Sequence, residues 1–130
     1  MNSLARVQDV GEEPQTLRRG RYAIKSGLVA EFPSLQLTVL VSNLSRGGFA
    51  VASHSPFDTE QFHGVMLRCG ANSTPVIMAR VAHARPDARP ATFVVGFQFL
   101  DPDQPRLRAA MTMIVRTLGL LDDVTPNGRR

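Results

Sequence analysis

Leu35-Gln36-Leu37-Thr38-Val39-Leu40-Val41-Ser42-Asn43-Leu44-Ser45-Arg46-Gly47-Gly48-Phe49-Ala50-Val51-Ala52 is the stretch on which the fold turns. Leu35, Leu37, Val39 and Val41 alternate with Gln36, Thr38 and Ser42, and only Leu40 places an apolar side chain on the outer phase. A period of two predicts a half-buried strand over residues 35–41. Residues 43–48 then bring together Asn, Ser and two Gly, and an apolar run resumes at 49–52. Strand, tight glycine turn over residues 43–48 and second strand is the arrangement these residue types support.

Working outward, further strands are expected at residues 65–69, 76–84 and 92–99, separated by Gly70, Asn72, Pro75, Pro86 and Pro90. In the last of them Phe93, Val95, Phe97 and Phe99 share one phase, so three of the seven phenylalanines should help form the core. Short strands punctuated by turns imply a β-sandwich or a closed barrel, and closure removes exposed strand edges. The period changes near the C-terminus. Asp103 can cap a helix that tolerates Pro105 in its first turn, and Leu107, Met111, Ile114, Leu118 and Leu121 then lie on one face. That stripe packs either on the chain's own barrel or on a partner, and Arg106, Arg108 and Arg116 lie largely off it. Gly119 and Pro126 limit the helix. Residues 1–16 read as a flexible tail, 17–121 as one folded domain and 122–130 as a disordered tail.

Composition narrows the function classes. A net charge of +4 favours an anionic partner, although fourteen of the fifteen basic residues are Arg, a bias that base composition alone can produce. The lone cysteine, Cys69, alternates with Val65 and Leu67 and should be a buried thiol. Residues 1–6 hold no apolar run of the leader type, and no apolar stretch is long enough to span a bilayer, so a cytoplasmic protein without membrane insertion is expected. His54, His63 and His83 show no metal-ligand spacing with Cys69, Ser45 has no His/Asp arrangement to make it a nucleophile, and no phosphate-binding loop is present. Neither an enzyme nor a cofactor is expected.

Two segments could bind a ligand. Asn43 and Ser45, two residues apart on extended chain, can offer an amide and a hydroxyl to the same side, while Gly47 and Gly48 permit positive φ and clear space for a ligand. The same residues also make an ordinary hairpin turn. Earlier in the chain, Leu17-Arg18-Arg19-Gly20-Arg21-Tyr22 forms a short arginine cluster with Lys25 beyond it. Guanidinium groups grip phosphates bidentately and hydrogen-bond the O6/N7 edge of guanine, although a solvated basic linker has the same composition.

Taken together, the two segments resemble the PilZ family of cyclic di-GMP receptors, whose members carry an Arg-x-x-x-Arg motif followed by [Asp/Asn]-x-Ser-x-x-Gly. Asn43-x-Ser45-x-x-Gly48 matches the second motif in full, and the segments Phe49-Ala50-Val51 and Val95-Gly96-Phe97-Gln98-Phe99-Leu100-Asp101 also look like family sequence. The first motif departs from the pattern: two residues separate Arg18 from Arg21, and the pair with three between them, Arg21 and Lys25, ends in Lys. The resemblance implies a six-stranded antiparallel β-barrel with a C-terminal α-helix. It also implies that Arg18, Arg19 and Arg21 clamp the phosphates and guanine edges of cyclic di-GMP. Asn43 and Ser45 would then contact a guanine and the nearby phosphate, Gly48 would keep the turn open, and Arg46 would either add a phosphate contact or face solvent. The module would couple the nucleotide to an unidentified protein effector. The alternative is a ligand-free adaptor acting through protein contacts, and general nucleic-acid binding has the least support.

Overall fold

A computed structural model describes residues 22–120 of the chain. Its elements are β1 (Tyr22–Ala23), β2 (Val29–Phe32), a 3-10 turn (Pro33–Leu35), β3 (Leu37–Ser45), β4 (Gly48–Ser53), β5 (Phe62–Cys69), β6 (Asn72–Ser73), β7 (Ile77–Pro86), β8 (Phe93–Phe99) and α1 (Pro105–Thr117). Neighbouring strands pair in the order β2, β5, β7, β8, β4, β3, all antiparallel. β3 also pairs with β2, which closes a six-stranded barrel. The two short strands lie off this ring, β1 on β3 and β6 on β5. The expected barrel and C-terminal helix are therefore present.

The strand bounds differ from the sequence expectation in instructive places. Leu35 belongs to the 3-10 turn rather than to β3, because Pro33 opens the turn and Gln36 closes it in the left-handed region at φ 51°. β2 was not expected, although Leu28, Ala30 and Phe32 alternate and are all completely buried. At its other end β3 continues through residues assigned above to a turn. The loop joining β3 to β4 is only Arg46 and Gly47, with Ser45 opposite Gly48.

Inward-facing residues of every barrel strand meet in one core. Phe97 is its centre: its ring stacks on Phe49 at 4.9 Å and lies 5.2 Å from each of Phe32 and Phe57. Val95 and Phe99 are buried on the same phase, while Phe93 packs partly buried against the core. Cys69 is a buried free thiol in line with Val65 and Leu67.

The helix seals one rim of the barrel. Leu107, Met111 and Ile114 are fully buried, joined by Val115, and Leu118 is partly buried against the core. The stripe therefore packs on the chain's own barrel, which settles that alternative; Leu121 lies outside the described residues, as do the two tails. Asn72 donates to Thr117 Oγ1 at 3.1 Å, tying the far end of the helix to β6. The helix ends in a Schellman arrangement: Gly119 (φ 79°) donates its N–H to Arg116 and Leu120 donates to Val115.

The cap is not Asp103. Gln104 occupies the N-cap, its side-chain oxygen accepting the Leu107 N–H at 2.7 Å, and Pro105 follows at N1. Asp103, one residue earlier, is drawn instead into an ion pair with Arg46 of the β3–β4 loop. Two stability effects should therefore separate. Replacing a working cap costs about 1 kcal/mol, whereas an exposed ion pair contributes about 0–1 kcal/mol. In urea titrations, Gln104→Ala should destabilise the domain more than Asp103→Ala.

Candidate functional site

An irregularity in β3 determines which side chains reach the surface. Val41 pairs with Val51 and Asn43 with Ala50, so Ser42 is an extra residue that β4 does not match. A bulge of this kind shifts the alternation by one. Val41 and Leu44, three residues apart, both point into the core, at 2% and 0% exposure. Asn43 and Ser45 consequently share the outer face, two residues apart, or about 7 Å along the strand. Ser42 anchors the bulge: its carbonyl accepts the Ile24 N–H at 2.9 Å and its Oγ donates to Ala50 at 3.2 Å.

The residues expected to form a glycine turn thus divide between two strands. Asn43 and Ser45 belong to β3 and Gly48 to β4, leaving Arg46 and Gly47 as the loop. Ser45 Oγ donates to the Gly48 carbonyl at 3.3 Å across the hairpin. The expectation of positive φ fails. Among the described residues the left-handed glycines are Gly27, Gly70 and Gly119, not Gly47 or Gly48. Gly48 answers a different demand, since a Cβ there would lie 1.9 Å from the Phe97 carbonyl oxygen. Backbone of β8 occupies the space, so glycine is needed for β4 to approach it.

The floor beside Asn43 and Ser45 is made of small residues. Across from Asn43 lie Ala23 on β1 and Ala50 on β4, and Gly96 of β8 follows opposite Ala50. His83 of β7 pairs with Gly96 and its ring covers it, leaving no room for a Cβ. This histidine was considered above only as a metal ligand. Among the described residues no three His, Cys, Asp or Glu side chains come together to hold a metal, and no helix is long and apolar enough to cross a membrane. At the opposite rim, the Asp87 carboxyl is held below the usual carboxylate range, chiefly by a hydrogen bond from Arg89 and then by the Ala88 amide.

The expected site residues are therefore partly brought together. Asn43, Ser45 and Arg46 lie at one end of β3, with Gly48 beside them, while Arg18, Arg19 and Arg21 lie outside the described residues. What the sequence did not disclose is β1. Tyr22 pairs with Leu44 and Ala23 with Asn43, so the strand following the arginine cluster lies directly against the motif. A two-residue strand has no periodicity to detect.

A family model of the PilZ domain matches residues 15–116, which includes the arginine cluster, the whole barrel and nearly all of α1. The chain belongs to the PilZ domain family. PilZ domains are cyclic di-GMP-binding modules that also interact with protein effectors, and they are typically receptors or adaptors rather than enzymes. No curated protein matches the chain.

The PilZ motif here has a structural role separable from any ligand. Gly48→Ala forces β4 and β8 apart at backbone, and overpacking of this kind costs about 1–3 kcal/mol or more. Thermal unfolding should show a marked loss for Gly48→Ala, whereas Gly47→Ala, with nothing within 4 Å of its added Cβ, should unfold near the wild-type temperature.

Proposed function

We propose that this PilZ domain binds cyclic di-GMP between the arginines Arg18, Arg19 and Arg21 and the outer face of β3 at Asn43 and Ser45. One observation carries the proposal. Tyr22, next in sequence to Arg21, lies opposite Leu44, next in sequence to Ser45. The reading is supported by the antiparallel register, which continued back from Tyr22 runs toward Ser45, and by Ala23, which sets only a methyl group opposite Asn43.

In this reading Asn43 presents its amide to a guanine, Ser45 presents its hydroxyl to the adjacent phosphate, and Gly48 serves the site by letting β4 close on β8 beside them. Arg46 exchanges Asp103 for a ligand phosphate. Releasing Asp103 costs little, because an exposed ion pair of this kind is worth only about 0–1 kcal/mol. Binding fixes the arginine segment against the barrel and so changes the surface offered to a protein effector. The domain acts without catalysis, and in the cytoplasm.

The two-residue gap between Arg18 and Arg21 favours one alternative, an adaptor that has lost the nucleotide and works by protein contact. Isothermal titration with cyclic di-GMP separates the two. Binding should be saturable, and Arg21→Ala and Ser45→Ala should each weaken it, the arginine by roughly tenfold to a hundredfold, with unfolding transitions unchanged. Absence of heat with folded protein at high micromolar ligand would sink the receptor reading and leave the adaptor.

A further inference from the structure

Among the described residues seven large apolar side chains are exposed, and four of them, Phe62, Val76, Met78 and Leu100, are neighbours on a single face. The register shows how. On β5 the inward phase is Val65, Leu67 and Cys69, which leaves Phe62, Gly64 and Met66 outside. Gly64 pairs with Met78 and Phe62 with Arg80, while Leu100 donates its N–H to the Met78 carbonyl at 3.0 Å. Val76 and Met78 lean over Gly64, their side chains 3.2 and 3.9 Å from where its Cβ would stand. Exposures of 46–58% for these four make the patch open rather than half covered. Contiguous apolar surface of this kind marks an interaction site.

Its borders indicate what covers it. At one corner Arg80 holds Glu60 through contacts of 2.9 Å to both carboxylate oxygens and also reaches Gln98. At the diagonal corner Arg68 holds Glu31, with a contact of 2.8 Å from Nε. Each corner therefore carries one Arg and one Glu around an uncharged centre. A strongly acidic or basic partner finds no unmatched charge to recruit it. A second copy of this chain is compatible, because a two-fold axis in the interface near Gly64 and Met78 lays one corner on the other, so that each meeting place holds charges of both signs and no net charge. The contrast is the outer face of α1, where Arg106 and Arg116 are exposed and the helix has no acidic residue, so two copies repel.

We propose that the outer face of β5, β7 and β8 is a homodimer interface, closed face to face over Phe62, Val76, Met78 and Leu100. This surface borders the β3–β4 hairpin, since Gly48 pairs with Gln98 and Gly47 accepts the Phe99 N–H, but it uses neither Asn43 nor Ser45, and the proposal does not rest on nucleotide binding.

Sedimentation velocity on the full chain over a dilution series tests it. The wild type should form a dimer that dissociates on dilution. Met78→Glu and Leu100→Lys should each raise the dimer dissociation constant by at least roughly tenfold, with thermal unfolding unchanged at dilutions where the wild type is monomeric, while Met113→Glu on the exposed face of α1 should leave the dissociation constant unaltered. A wild type that stays monomeric up to ~1 mM, as it would if the patch served a different protein, overturns the proposal. So does a dimer that persists undiminished in either folded variant; if one variant fails to fold, the other decides.

Discussion

At Ser42 the third strand carries one residue more than the strand facing it, and both halves of the molecule depend on how that residue is accommodated. Its backbone oxygen takes a hydrogen bond from Ile24 and its hydroxyl gives one to Ala50, so the irregularity is held on both sides. Before it, Val41 points inward; after it, Leu44 does. Without the shift, Leu44 would stand on the surface, and Asn43 and Ser45 would sit in an apolar core at the desolvation cost of unpaired polar groups. Bulges also bend and twist a strand, which suits β3, the strand whose pairing with β2 and β4 closes the ring.

The same end of β3 is where the barrel, the helix and β1 meet. β1 lies along Asn43 and Leu44, the β3–β4 loop reaches the residue before the helix cap through Arg46 and Asp103, and Gly48 lets β4 close on Phe97. A ligand taken up there would touch elements that also hold α1 in place. The apolar face of β5, β7 and β8 begins beyond Gln98, the β8 residue that pairs with Gly48.

Much of this was legible in the sequence because it is local. The alternation in β3, the phenylalanine phase of β8 and the period of α1 each lie within a few turns of chain, and each was realised with small changes of boundary. What escaped is non-local. Val41 and Leu44 look like a broken pattern until β4 is placed beside them. Gly48 looks like a turn glycine because the carbonyl it must admit belongs to Phe97, far along the chain. Asp103 is the better cap by residue type, yet Arg46, 57 positions away, takes it and leaves the cap to Gln104. β2 was missed for a different reason: Ala30 contributes little to the alternation of Leu28, Ala30 and Phe32, and Pro33 ends it. The PilZ assignment survived these errors because its motif specifies residues and spacing, not their secondary structure.

If the register of β1 on β3 brings the arginine cluster to Asn43 and Ser45, a ligand should protect both segments and little else. Amide hydrogen exchange with and without cyclic di-GMP measures this directly. The account predicts added protection concentrated in residues 17–24 and 42–48, with the face of β5 and β7 unchanged. Protection confined to another part of the barrel, or spread evenly over it, would contradict it.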